Sequence, residues 1–568
     1  MTAPDFITLL LYFLGIFAIS TLSAKRISNQ KDMFSAGRSS PWWVSGLSGF
    51  MTMFSAGTFV VWGGIAYRLG IVAVLINTCY GIAALLVGRY VAGRWNQLGV
   101  STPAEYVRQR FGKTGLHFFT WTMMLKRILG VSVSLYALGV LSVALIPQGT
   151  LSQNWAIIIF GLIVVVYTMQ GGLWAVLMTD VLQFIVLTVV VLMVAVLMIS
   201  EMNNPAEYVS SVPEHFFSPV AGDYGWLFLA GWTTIHFFIV GAEWAFVQRF
   251  IAVRSPDDAK KSSYLFGILY LVTPLFWLLP PLLYRGQTAD ANPEQAYILA
   301  AQSVLPPGVL GLMVAAMFSA TASMVSSQLN VFAGVLTNDF YRAFFNPNAT
   351  ERTLVATGRM FTAVLGALLV TVALLVPYLG GAEKLIITVN SLLVVPLLAP
   401  ALWGLFSRKI GIREMCLVAL TSFFIGAFLR FGIATNPLIQ ETNSLAPLAA
   451  YLSKNVKSLE VVVGVILPIL MLLALERLKR GTDPGWKVLE DGRALLQSSI
   501  LESNSPASFD SFPARMVMIS LLVMAVGMLA LGIFETQGRT VVLSFGVILL
   551  LLAGVIHLVI RKLGVAYK

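Results

Sequence analysis

The chain has 568 residues, 58% of them hydrophobic and only 11% charged, with a net charge of +11. Soluble domains carry about 25% charged residues, so this balance excludes an ordinary soluble enzyme. The basic residues sit in short loops between apolar runs, which excludes a nucleic-acid-binding stripe and fits membrane orientation instead.

Taken in chain order, the apolar runs predict fifteen membrane-spanning helices. They lie near residues 5–24, 45–68, 71–95, 115–146, 154–170, 175–200, 226–251, 263–285, 308–338, 356–378, 383–406, 412–433, 459–477, 514–534 and 540–562. A run of about 20 apolar residues crosses a ~30 Å hydrocarbon core as a helix. The first run, Phe6 to Leu22, has no basic residue before it and no small-residue cleavage site, so it reads as a span and not as a signal peptide. With the N-terminus outside, Lys25, Arg26, Lys31 and Arg38 lie inside, as do Arg108, Arg110 and Lys113, then Arg249, Arg254, Lys260 and Lys261, and then Arg408, Lys409 and Arg413. The acidic loop 201–225 falls on the other side. This asymmetry predicts a multi-pass protein of the inner or plasma membrane with a cytoplasmic C-terminus. The longest polar loop, 478–513, reads as a tether between the last helices.

Two spans are interrupted. The second, Gly46 to Tyr67, is rich in Gly, Ser and Thr at mid-depth. The seventh, Gly231 to Arg249, carries a central Gly and the polar pair Glu243-Trp244. They stand five spans apart, as broken helices do in transporters with inverted repeats. The alternative is small-residue helix packing.

Ionisable groups inside apolar runs are functional candidates. Asp180 stands in Leu-Met-Thr-Asp-Val-Leu-Gln, and Ser323, Ser326 and Ser327 share one helical face. Glu243 has three readings: a contact to a cationic or hydroxyl-rich solute, an ion pair with Lys126 or Arg127, or a water-lined group with both bases reaching the membrane surface. His236 is either proton-linked or a plain hydrogen-bonding side chain. The aromatics Trp62, Phe237, Phe238 and Trp244 stack on a solute or pack against helices. Cys79, Cys416 and four scattered histidines give neither a disulfide framework nor a metal spacing. No H-E-x-x-H or G-x-S-x-G motif appears, so neither an enzyme nor a bound cofactor is expected.

Four motifs carry a resemblance. They are Asp32-Met-Phe-Ser-Ala-Gly-Arg38, the Gly/Ser pattern of the second span, Tyr167-Thr-Met-Gln-Gly-Gly-Leu-Trp-Ala-Val-Leu-Met-Thr-Asp-Val-Leu-Gln183, and Gln248-Arg249 followed by Ala252. Over roughly residues 30 to 410 the chain resembles the sodium/solute symporter family. The resemblance implies an all-α membrane protein with a LeuT-type core of five plus five inverted helices. One extra helix precedes that core and about four follow it. The implied divisions are 1–40, 41–410 for the transport core, and 411–568 for the accessory helices.

The resemblance further implies secondary active transport: sodium-coupled symport of a small polar organic solute by alternating access. A sodium-independent facilitator or solute sensor on the same scaffold is the alternative. Its partners are the bilayer, the solute and sodium as coupling ion, with no nucleic acid. Sugar, amino acid and organic anion all stay open as the solute, and so does the oligomeric state. The implied ion ligands are backbone carbonyls of Met51 and Phe54 with Ala320 and Ser323. The chain departs from the family at Met324, where a second hydroxyl is usual and a thioether is a soft, poor ligand. A second implied sodium site joins Ser323, Ser326 and Ser327 to Asp180. The implied solute positions are Gly57, Thr58, His236, Ile239 and Glu243, with Lys126 as a neighbour.

Overall fold

The computed structural model describes the chain except for residues 1, 25–37, 39, 101, 146–150, 169–172, 203, 435–445, 491–511, 535–537 and 567–568. Several further side chains, Ser327 among them, also lie outside the described set, as does most of the motif Asp32 to Arg38 and the glycine pair within Tyr167 to Gln183. Among the described residues the structure is helical throughout, with no strand beyond isolated bridges.

Each of the fifteen apolar runs holds helix. Among the described residues eleven helices are long and apolar enough to cross a membrane, and one bent pair makes twelve. Ala3–Phe17 and Gln153–Val166 are shorter apolar helices, and the second span is divided into pieces. The elements that position the site are α1 (Ala3–Ala24), α2 (Trp42–Thr52), α3 (Gly63–Leu69), α4 (Val72–Tyr90), α5 (Pro103–Ala144), α6 (Gln153–Thr168) and α7 (Leu173–Ser200). They continue with α8 (Trp226–Ala242), α9 (Trp244–Ala252), α10 (Pro256–Trp277), α11 (Val309–Val335), α12 (Glu351–Leu375), α13 (Gly381–Val389) and α14 (Val395–Trp403). The later helices are α15 (Ile412–Ala427), α16 (Leu467–Leu478), α17 (Phe512–Phe534) and α18 (Arg539–Ala566).

The starts are written into the sequence. Thr102 accepts a hydrogen bond from the Glu105 amide at 3.1 Å and Pro103 opens α5. Ser255 accepts from the Asp258 amide, also at 3.1 Å, with Pro256 opening α10. A hydroxyl at the cap satisfies an amide that the helix cannot, and proline has none to satisfy. α11 runs through the middle of the bundle, packed by α1, α5, α6, α7 and α12. The pair α17 and α18 leans back on α1 and α7, so the chain's last helices touch its first.

The loop after α16 is more than a tether. Residues 484–490 are helical, and Asp483 meets Arg110 Nη1 at 2.7 Å. Arg110 is fully buried and also donates to the carbonyls of Gly404 (3.1 Å), Ser407 (3.0 Å) and Ile410 (2.5 Å). At the opposite end of the bundle Glu383 gathers Arg68, the Tyr224 hydroxyl and, at 3.7 Å, Lys457.

Candidate ion and solute sites

The second span unwinds between α2 and α3, over Met53 to Ser55, and is helical again at Ala56 and Gly57 before a π-helical turn Thr58–Trp62. Amides freed by the break need acceptors where no water reaches. Hydroxyls supply them. The Ala56 amide donates to Thr321 Oγ1 at 2.9 Å, the Gly57 amide to Ser55 Oγ at 3.2 Å, and the Ser55 amide to Thr58 Oγ1 at 3.3 Å. The Gly/Ser/Thr content of this span thus repairs the break. Gly57 has a further use: a Cβ there would lie 3.5 Å from Ser134 Oγ on α5 and 3.2 Å from Ser55 Oγ.

The seventh span breaks at Glu243, which is extended (φ −73°, ψ 133°) between α8 and α9, and the two pieces meet at 52°. The Gly241 carbonyl left near the break accepts from Trp95 Nε1 at 2.7 Å. Glu243 is therefore the hinge itself, and its side chain is buried.

Two cavities lie beside these breaks. The smaller, about 20 Å³, is lined by Met51, Thr52, Asp180, Ala245, Arg249, Ala320, Ser323, Met324 and Gln328. A single water-sized occupant needs roughly 10–15 Å³, so one small ion fits. Ser48 donates to Asp180 Oδ2 at 2.5 Å, and Arg249 Nη2 lies 3.7 Å from the same oxygen. Arg249 also donates through Nε to Ser48 Oγ at 3.1 Å and through Nη1 to the Ala245 carbonyl at 2.7 Å. Among the described residues, Asp180 Oδ1 receives a long 3.4 Å contact from Ser323.

Of the expected ion ligands, Met51, Ala320, Ser323 and Asp180 share this cavity. Phe54 does not line it, and its ring packs with Phe59 and Trp277. The Ser326 hydroxyl donates to the Ser323 carbonyl at 3.0 Å and not to Asp180. The Ser327 side chain lies outside the described residues.

The larger cavity, about 110 Å³, brings together all six expected solute positions, Gly57, Thr58, Lys126, His236, Ile239 and Glu243. All six are buried. Lys126 Nζ lies 3.1 Å from Glu243 Oε1, and Arg127 Nη2 meets the same oxygen. The internal ion pair is thus the arrangement present, with Lys126 buried and Arg127 partly buried. The lysine and arginine stand at consecutive positions of α5, where the kink at Gly112 (φ 75°) lies well before them. His236 holds the Trp232 carbonyl at 2.8 Å through Nδ1 and stacks on Tyr80 at 3.7 Å between ring centres. Among the aromatics, Trp62 lines the cavity, whereas Trp244 stacks on Phe119. Thr52 and Met324 line both cavities and form the wall they share.

Four contributors were not foreseen: Ser48, Arg249 as the partner of Asp180, and Tyr80 and Asn390 in the larger cavity. For Arg249 a signal existed. An arginine in Ala-Phe-Val-Gln-Arg-Phe-Ile needs a counter-charge, and Asp180 is a buried acid without a neighbour in sequence.

The sequence profile described as "Sodium:solute symporter family" matches residues 33–426. The chain belongs to that family. It is 27% identical over 457 residues to the sodium/glucose cotransporter of Vibrio parahaemolyticus, covering 72% of this chain and 81% of the relative. It is 28% identical over 469 residues to the sodium/sialic acid symporter NanT of Aliivibrio fischeri, covering 78% and 86%. Among solved structures, a Na+-coupled sialic acid symporter in a substrate-bound outward-open state superposes with a TM-score of 0.64 at 21% identity, over 83% of this chain and 98% of that one. This symporter therefore has the LeuT-type fold, and it is a multi-pass membrane protein that couples a small solute to sodium.

Proposed function

We infer that sodium binds in the cavity of Met51, Asp180, Ala320 and Ser323, that the solute binds in the cavity of Gly57, Thr58, Lys126, His236, Ile239 and Glu243, and that alternating access carries both across. The observation that carries this reading is the shared wall of Thr52 and Met324 between the two cavities. Occupancy on one side of that wall changes the packing on the other. Sodium is a hard cation that prefers oxygen ligands. Asp180 Oδ1 is weakly engaged and so has lone pairs to offer, with the Ser323 hydroxyl beside it. Phe54, Ser326 and Ser327 belong to the wider site as the family resemblance assigns them.

The transport core is residues 41–410, preceded by 1–40 and followed by accessory helices in 411–568. The end of the bundle holding Arg110 and Asp483 faces the cytoplasm, because Arg408, Lys409, Arg413 and Lys479 gather there. The Glu383 end faces outward. Met324 removes one hydroxyl from the ligand set that the family resemblance implies, so the ion leans more on Asp180 and Ser323.

The test is thermal unfolding of the purified protein in sodium chloride against potassium chloride, for wild type and Asp180→Asn. A ligand bound only by the folded state stabilises it, by ~2.7 kcal/mol at 100 times its Kd. Sodium is expected to raise the Tm of wild type and not of Asp180→Asn. An equal rise in both rejects the assigned ion site. No rise in wild type rejects sodium binding to this cavity in the solute-free protein.

A further inference from the structure

The ionisable groups around the two cavities do not balance. In the ion cavity Asp180 and Arg249 offset each other. In the solute cavity a single carboxylate faces two cations, and Lys126 and Arg127 both meet the same oxygen of Glu243. His236 adds no negative charge. The wall therefore carries an uncompensated positive charge, on a buried lysine and a partly buried arginine within an apolar span, where such a charge is costly unless paired or hydrated.

The donor inventory agrees. Lysine offers three N–H donors and arginine five. Among the described residues, Glu243 is the polar contact of both side chains, through Lys126 Nζ and Arg127 Nη2, so Arg127 Nε and Nη1 remain to be met by a ligand or water. The rest of the polar wall, including Thr58, Ser134 and Asn390, is neutral.

We propose that the solute is a small organic anion whose carboxylate docks on Lys126 and Arg127, a reading that rests on the assignment of this cavity to the solute. A carboxylate supplies the missing negative charge and accepts the spare donors, and arginine receives it in a two-pronged fork. A polyol gains most from side chains that accept from its hydroxyls, and the one carboxylate here is already held by two cations. A zwitterion needs an acceptor for its ammonium and meets the same obstacle. The volume, about 110 Å³, is well below the ~300–1,000 Å³ of drug-sized pockets. The apolar side of the cavity, Trp62, Tyr80 and Ile239, faces the remainder of the solute.

The experiment is thermal shift of the full-length protein in sodium chloride and in potassium chloride. The probes are acetate, propionate, pyruvate, lactate, glucose, myo-inositol, alanine and choline, with sialic acid as a larger carboxylate. At least one small carboxylate is expected to stabilise the protein in sodium, and the methyl ester of that acid is not. Arg127→Gln is expected to weaken its apparent Kd roughly 10- to 100-fold, the size of a hydrogen bond to a charged group, with Arg127→Lys in between. A sodium response like that of wild type identifies a folded variant, and Lys126→Gln serves as the second probe of the same pair. Stabilisation by glucose, myo-inositol, alanine or choline with none from any carboxylate overturns the anion and leaves symport standing. Carboxylate binding that is equal in sodium and potassium overturns the coupling and leaves the anion standing. Unchanged carboxylate affinity in both glutamine variants overturns the proposal.

Discussion

The two cavities sit side by side at the two breaks and solve the problem of buried charge differently. Around Asp180 the protein supplies its own counter-ion: Arg249 stands 3.7 Å away and the Ser48 hydroxyl bridges them. Around Glu243 the protein supplies one counter-ion too many. A balanced pair can release its carboxylate to a small cation because Arg249 keeps two neutral acceptors, Ser48 Oγ and the Ala245 carbonyl. An unbalanced triad gains by admitting the charge it lacks. The first arrangement suits a coupling ion that comes and goes, and the second a solute of opposite sign.

The largest effect that would break this comparison lies in the triad. Glu243→Gln leaves Lys126 and Arg127 buried without their acid. Removing one partner of a buried pair costs about 3–5 kcal/mol, and two stranded cations place this variant at the upper end. Thermal unfolding measures it. The double variant Glu243→Gln with Lys126→Gln removes one stranded cation and is expected to recover part of the loss. Additive losses would show that the three groups do not act as a unit.

Asp180→Asn is expected to cost less, about 1–3 kcal/mol, because Arg249 keeps the Ala245 carbonyl and Ser48 Oγ as acceptors. Its main signature is loss of sodium-dependent uptake in proteoliposomes. A stability loss equal to that of Glu243→Gln would erase the distinction between a balanced and an unbalanced cavity.

Both breaks were legible in the sequence, and for a physical reason. Gly, Ser and Thr at mid-depth supply the flexibility and the hydroxyls that a broken helix needs, as Ser55, Thr58 and Gly57 do. Glu243 was legible as an oddity, a carboxylate in an apolar run. Its partner was not fixed, because Lys126 lies 117 positions away and only packing of α5 against the hinge brings the two together. The Asp180–Arg249 pair was hidden in the same way: each residue sat in its own motif, and nothing in either motif names the other. The docking of residues 483–490 on Arg110 was missed altogether. Its composition is largely polar, and its anchors are Asp483 on the buried Arg110, the Asp483 amide on the Arg408 carbonyl, and the buried side chains of Trp486 and Leu489. Periodicity and composition report how a segment partitions between lipid and water. They do not report which two segments meet.

The smallest predicted effect is also the finest test of the wall between the cavities. Met324 replaces the hydroxyl usual in the family, yet it lines both cavities and so cannot be a neutral filler. Met324→Ser restores an oxygen donor beside Ser323 at the cost of buried thioether packing. A net hydrogen bond is worth about 0.5–1.5 kcal/mol, so the sodium concentration giving half-maximal uptake is expected to fall by roughly 2- to 10-fold, a factor of ten being about 1.4 kcal/mol. Because sodium and solute binding are coupled, the apparent solute affinity at low sodium is expected to rise too, by up to the same factor. Titrating uptake against sodium at fixed solute, and against solute at fixed low sodium, measures both. A gain in sodium affinity with no gain in solute affinity would show that the ion bound here is not coupled to the solute.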